Sequence, residues 1–300
     1  MGGPMLDRPL IINLAPTGAV SDPRKNPAVP VENRHIAEVV QECAAAGASI
    51  CHLHVRDDAG APTCDPARFA DLFGLVRAQP GGSEIVLCAT TSGRHGQSLE
   101  ERAAVLSLPE GIRPDMASLT LGSLNFATGP SVNAPDTIRY LADRMAEFGI
   151  KPELEVFDVG MIEFAKTLIA EGRLAPPYYF NIFLGNIGGL ACNVEHLGFV
   201  MGLLPQPAIV SVAGIGRHQA AANVLGAVAA NGVRVGLEDN LWADCSTKAP
   251  ATNPGLVRGI TRVAAAIGRP VASAAQTRTI LGLYGRPVAR PALRNLISAG

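Results

Sequence analysis

The chain has 300 residues, 48% of them apolar and 17% charged, and a formal net charge of −1 at pH 7. That length and apolar content suffice to bury a large core, as one α/β barrel or as two ordinary domains. Near-neutral charge without a basic patch argues against a nucleic-acid partner, and no apolar run is long enough to cross a bilayer.

The start, MGGPMLDRPL, has neither the cationic head nor the apolar stretch of a signal peptide, so a cytoplasmic protein is expected. Cys43, Cys51, Cys64, Cys88, Cys192 and Cys245 are scattered without the paired spacing of a zinc knuckle or redox motif, which predicts six separate reduced thiols.

In chain order, one unit repeats: an apolar extended run, a loop, then an Ala-rich amphipathic stretch. An extended run over 10–17 precedes a helical pattern over 31–46, which Gly47 stops; 49–56 precedes 66–77, and 84–91 precedes 98–106. Extended 116–122 is followed by helical 135–148, 153–158 by 160–171, 178–185 by 194–203, 208–215 by 219–231, and 233–239 by 254–267. Eight such units predict a TIM barrel forming a single domain over 1–300, with a doubly wound open sheet as the alternative. The segment from Gln276, with the run 277–283 and an Arg- and Pro-rich tail from about 284, is expected on the surface or over a neighbouring subunit.

Parallel strands are covered on both faces and ordinarily read as apolar throughout. Here one parity is polar: Glu153 and Glu155 alternate with Leu154 and Val156, Asn181 with Phe180 and Ile182, and Arg234, Gly236 and Glu238 with Val233, Val235 and Leu237. In a closed barrel the apolar parity meets the helices, so the polar parity converges on the axis. Charges buried there are costly unless paired or bound to a metal, which marks the upper barrel as an active site.

The stretch HLHVRD puts His52 and His54 on one face of the second strand. The eighth strand closes the barrel beside the first, one strand away, so Glu238 at its end is the natural third ligand. Two imidazoles and a carboxylate with open positions suit a catalytic divalent metal, zinc first, with manganese, iron or cobalt possible. The plainer reading is two histidines hydrogen-bonded at a barrel mouth. Arg234 offsets carboxylate charge, while Asp239 has the opposite parity and enters the site only if the strand ends and the loop turns inward. Gly214, Gly216 and Arg217 in AGIGR are either a tight turn or a cradle for a nucleotide-like cofactor's phosphates. His35, His95, His196 and His218 fall in loop or helical contexts and are read as surface or cap residues.

The strings NLAPTGA, AGASICHLHVRD, PDMASLTLGSLNF, PELEVFDVGMI, FNIFLGNIGG, GIGR and VRVGLEDNLW run in order from about residue 9 to about residue 283. Together they resemble the β-keto acid cleavage enzymes, the family that includes 3-keto-5-aminohexanoate cleavage enzyme. The resemblance implies a homotetrameric TIM barrel with a bound divalent metal, most often zinc, and acetyl-CoA as co-substrate. The implied reaction is a Claisen and retro-Claisen exchange that turns a β-keto acid and acetyl-CoA into acetoacetate and a new acyl-CoA.

Carried over by residue, the resemblance makes His52, His54 and Glu238 the metal ligands. Asp239 becomes the base that removes the substrate proton, oriented by Arg234. It places the carboxylate-holding Ser/Thr of ATTSG on Thr90, with Thr91 or Ser92 beside it, a second on Ser118, and an inward Glu on Glu155 in preference to Glu153. Arg217 and the nearby glycines would meet CoA phosphates. One departure is Val20, where 3-keto-5-aminohexanoate cleavage enzyme has a Glu for the substrate's amine. Valine cannot pair with an ammonium, so a neutral or apolar tail is expected. The rival classes are a metal-dependent hydrolase of amidohydrolase type, which places His-x-His on the first strand and expects further histidines, a two-His-one-carboxylate iron oxygenase, and a non-catalytic acyl-CoA or metal-binding protein.

Overall fold

In the computed structural model, which describes residues 5–94, 96–127 and 129–283, eight parallel strands pair with their neighbours until the last returns to the first and closes the sheet. They are β1 (Ile11–Leu14), β2 (Ile50–Leu53), β3 (Val86–Ala89), β4 (Met116–Thr120), β5 (Lys151–Val156), β6 (Tyr178–Leu184), β7 (Ala208–Gly214) and β8 (Gly232–Val235). Helices follow in turn: α1 (Asn33–Ala45), α2 (Pro66–Arg77), α3 (Leu99–Ala104), α4 (Pro135–Glu147), α5 (Val159–Ala170), α6 (Val194–Leu203), α7 (Gln219–Ala229) and α8 (Asn253–Ala266). This is a TIM barrel, as the repeat predicts. His95 and the tail from 284 lie outside the described residues.

Local chemistry sets the helix ends. Asp65 accepts from the Ala67 N–H at the start of α2, Ser98 and Glu101 form a reciprocal capping box on α3, and Asp158, Asn193 and Thr252 cap α5, α6 and α8. Gly47, with φ of 116°, takes the left-handed turn after α1 that the sequence assigns to it.

The predicted parity holds. Ile12, Leu14, Cys51, Leu53, Leu154, Val156, Phe180, Ile182, Val233 and Val235 point outward into one core shared with the helices. Inside, the lumen is layered. Ile11, Ile50, Val86, Cys88, Met116, Tyr179 and Ile209 fill its lower end, and Asn13, Glu153 and Asn181, all fully buried, make a polar layer above.

The segment expected on the surface or over another subunit instead closes the barrel's own base. Residues Ala274–Leu281 form α9, started by a Ser273/Gln276 capping box. Ala272 and Leu281 join the lower lumen cluster, the Thr277 hydroxyl donates to Ser49 Oγ at 2.8 Å, and Arg278 pairs with buried Asp115 at 2.7 Å. Just before α9, Leu10 donates to the Pro270 carbonyl and accepts from the Ala272 N–H, so the chain's end grips the lead-in to β1.

Most strands stop short of their predicted ends, and for the eighth this decides the site. The extended run 233–239 breaks after Val235, where Gly236 has φ of 155° and a Cβ would lie 2.1 Å from the Ala15 carbonyl oxygen. Only glycine fits there. Its carbonyl accepts from the Asp239 and Asn240 N–H groups and from Gln219 Nε2, and Asn253 Oδ1 accepts from the Leu237 N–H. The chain therefore turns inward over the lumen.

Candidate active site

At the C-terminal rim lies a cavity of about 430 Å³ whose walls include His52, His54, Arg234, Glu238 and Asp239. His52 and His54 point their Nε2 atoms at one spot, 3.2 Å apart, and Glu238 Oε1 lies 3.3 Å from His54 Nε2 and 3.8 Å from His52 Nε2. Donors about 2.0–2.2 Å from one tetrahedral ion stand roughly 3.3 Å apart, so these spacings are those of ligands around a shared cation. Glu238 Oε2 is buried without a hydrogen-bond partner, an acceptor that a cation would satisfy. The residues present thus fit a divalent metal.

Support beneath the imidazoles comes from a residue that the sequence reading ranked second. Glu153 Oε2 pairs with His52 Nδ1 at 2.6 Å, while its Oε1 accepts from Asn181 Nδ2 at 2.6 Å and Asn13 Nδ2 at 2.7 Å. With the Nδ1 proton held there, the Nε2 lone pair of His52 faces the cavity. Burial opposes the Glu153 charge, but His52, Arg234 and the Asn13 amide outweigh it and hold its pKa down to about 2. Burial, only partly offset by Glu238, lowers the His54 pKa and keeps that ring neutral, as a metal ligand requires. His52, Cys88 and Glu153 also cluster, but His52 Nδ1 is committed to Glu153 and burial holds the Cys88 thiol protonated.

Arg234, 2% exposed, organises the acids. Its Nε and Nη2 meet Asp239 side-on at 3.0 and 3.2 Å, Nη2 also reaches Glu238 Oε1 at 2.8 Å, and Nη1 lies 3.4 Å from Glu155. Burial raises the Asp239 carboxyl above its usual value, with Arg234 offsetting only part. Asp239 reaches the cavity through the turn at Gly236. Gly18, φ 67°, backs Glu238: a Cβ there would lie 2.5 Å from Glu238 Cγ. Arg56 of HLHVRD donates to the Gly18 and Ser21 carbonyls and so fixes the loop bearing Val20, which lines the cavity.

The other expected residues divide. Thr90, Ser92, Ser118 and Glu155 line the cavity, whereas Thr91 does not: its hydroxyl donates to the Ser118 carbonyl and its N–H to Ser118 Oγ, tying β3 to β4. Glu155 accepts from Thr120, a cavity residue missed in the sequence although it shares the parity of Ser118. Of the expected phosphate cradle, Gly214 is packed against the start of α7, where a Cβ would come within 2.5 Å of the His218 carbonyl oxygen. The Gly216 N–H is spent on the Asp239 carbonyl at 2.7 Å, and Arg217 is exposed outside the cavity wall. All six cysteines are free. His35 and His196 lie at the surface, and His218 packs over Gly185.

A family profile described as beta-keto acid cleavage enzyme matches residues 9–283. The chain belongs to the β-keto acid cleavage enzyme family. Among its relatives in this family, 3-oxoadipate:acetyl-CoA acetyltransferase of Cupriavidus necator is 37% identical over 93% of this chain and 96% of its own length. The 3-keto-5-aminohexanoate cleavage enzyme of Fusobacterium nucleatum is 36% identical over 91% of this chain and 98% of its own. The apo structure of ObcA superposes with a TM-score of 0.71 at 21% identity, covering 85% of this chain and 66% of that one, a likeness of fold. Among the described residues, no helix of this β-keto acid cleavage enzyme is long and apolar enough to cross a membrane.

Proposed function

We propose that this β-keto acid cleavage enzyme holds a divalent cation on His52, His54 and Glu238 and exchanges acyl groups between a β-keto acid and acetyl-CoA, releasing acetoacetate and a new acyl-CoA. The observation that carries the reading is one spot at which two imidazole nitrogens and Glu238 Oε1 meet, beside a side-on Arg–Asp pair. When bound, the cation withdraws electron density from the substrate's keto and carboxylate oxygens and acidifies the carbon between them; zinc suits the donor set first.

The chain's own groups do the rest. Asp239, lifted by burial into a better base, takes the proton from that carbon, and Arg234 holds it in one orientation while balancing the acids around it. Thr90 and Ser118 offer hydroxyls to the substrate carboxylate, and Glu155, hydrogen-bonded to Thr120, faces the same space. Arg217 at the mouth is left to meet CoA phosphates. The reading extends to a homotetramer, supported by the family resemblance alone.

Incubation with acetyl-CoA and a panel of 3-oxo acids yields acetoacetate and the matching acyl-CoA. The activity is lost on chelation and returns with zinc. Acetoacetate from none of the acids would refute the reaction, and full activity in verified metal-free protein would refute the metal. A hydrolase of amidohydrolase type is disfavoured because, among the described residues, the polar lumen offers Glu153, Glu155 and Asn181 where that class needs further histidines.

Glu153→Gln is expected to weaken metal affinity about 10–100-fold. Either orientation of the new amide sets an NH₂ against a group already donating to Glu153. Competition with a chromophoric chelator measures it, and unchanged affinity would strip Glu153 of that supporting role.

A further inference from the structure

Beneath the imidazoles the lumen carries a belt of hydrogen bonds centred on Glu153. Its Oε1 accepts from Asn13 and Asn181, and its Oε2 from His52 Nδ1 and, at 3.3 Å, from the Cys88 thiol. Two donors on each oxygen make this carboxylate a pure acceptor, and that fixes the sense of its neighbours. Both amides must turn their NH₂ groups toward it, because a carbonyl oxygen in the same place would face another acceptor. They do so although Asn13 Oδ1 and Asn181 Oδ1 are then buried with no hydrogen-bond partner among the described residues, an arrangement that works against folding. Holding Glu153 is what the two amides gain by it.

The belt continues past Asn13. Its Nδ2 also donates to the Tyr179 hydroxyl at 3.2 Å, and that hydroxyl donates in turn to Ser211 Oγ at 2.9 Å. Gly232 pairs with Ser211 in the sheet and leaves the serine its room, since a Cβ at Gly232 would lie 2.6 Å from Ser211 Oγ. The fully buried Tyr179 ring packs in the lower lumen cluster with Ile11, Ile50 and Met116. A phenylalanine would fill that space equally. What the hydroxyl adds is a fixed acceptor for Asn13, held with its proton pointing away toward Ser211.

We propose that Tyr179 is a positioning residue for the metal site: it locks Asn13 in the orientation that aims Glu153 at His52, and so sets the imidazole lone pair offered to a divalent cation. The inference rests on the metal reading above. Tyr179 is no part of the cavity wall, and its influence passes through Asn13 and Glu153.

The test starts from metal-free protein. Zinc affinity, read by competition with a chromophoric chelator, falls about 3–10-fold in Tyr179→Phe, less than the 10–100-fold of a partner bonded directly to a ligand. Asn13→Ala, which cuts the same connection one step nearer the metal, falls at least as far. In the Glu153→Gln background Tyr179→Phe has no further effect, because the group it acts through is already gone. A second readout needs no metal: the far-downfield 1H resonance of the proton between His52 Nδ1 and Glu153, absent in Glu153→Gln, shifts in Tyr179→Phe. Unchanged zinc affinity in Tyr179→Phe overturns the proposal. So does a lower affinity with that proton unmoved, or a loss that persists in the Glu153→Gln background, since barrel packing then carries the effect. Each of these outcomes leaves the metal reading standing, whereas a wild type that binds no zinc defeats both.

Discussion

Replacing Asp239 by asparagine leaves metal affinity unchanged and lowers kcat by about 10²–10⁴-fold, the usual contribution of a positioned general base. The amide keeps the size of the carboxyl and one hydrogen bond to Arg234, and Asp239 is not among the three donors that meet at the candidate metal spot. What it loses is the capacity to take a proton. Burial raises the Asp239 pKa above its ordinary 3.8 against the pull of Arg234. With Asp239 as the proposed base, its ionised form is the active one, so wild-type kcat/KM falls as pH drops through this raised value, and the acid limb lies above 3.8. That limb disappears from the residual activity of Asp239→Asn. Substantial turnover in the variant, with the same acid limb, would transfer the role to another carboxylate, and Glu155, also raised by burial, is the one to examine.

Arg234→Met destabilises the fold by about 3–5 kcal/mol, the cost of leaving buried charges without their partner, and abolishes activity. One guanidinium serves Asp239, Glu238 and Glu155 and lies over Phe183, with 2% of its surface exposed. Methionine restores much of the volume and none of the charge. The three carboxyls then sit in the fold with pKa values above those of the unfolded chain, so they oppose folding at neutral pH and cease to do so once protonated. The stability deficit is therefore largest near pH 7 and shrinks as pH falls. Denaturant midpoints of the metal-free proteins at the two ends of that range measure it, free of any contribution from ligand binding. A deficit equal at both would mean that packing, not charge, is what the methionine fails to replace.

Much of this site was legible because a strand has a period of two and a barrel has an inside. His52 and His54 share a face whatever the details, and the closure of β8 on β1 brings Glu238 toward them. Period alone cannot rank depth along the axis. Glu153 and Glu155 point the same way, and only the stagger of the closed sheet sets one under His52 and the other in the cavity. Asp239 read as facing away because its entry depends on a turn at Gly236 that the Ala15 carbonyl enforces, a contact between opposite ends of the chain. Adjacent hydroxyls in ATTSG could not be sorted into Thr90, which faces the cavity, and Thr91, which faces β4. The run 277–283 carried no helix in the sequence reading, and the barrel base that it covers is a matter of tertiary packing.

The way the sheet closes also constrains how the molecule is made. β1 leaves the ribosome early, yet one of its two hydrogen-bonded neighbours is β8, and the lead-in at Leu10 waits for Pro270 and Ala272. Nascent chains accordingly carry two open sheet edges until β8 has been made, which is the period in which such edges invite mispairing. His52 and His54 are synthesised long before Glu238 and Asp239, so the polar cluster at the barrel mouth is assembled only once β8 has closed on β1.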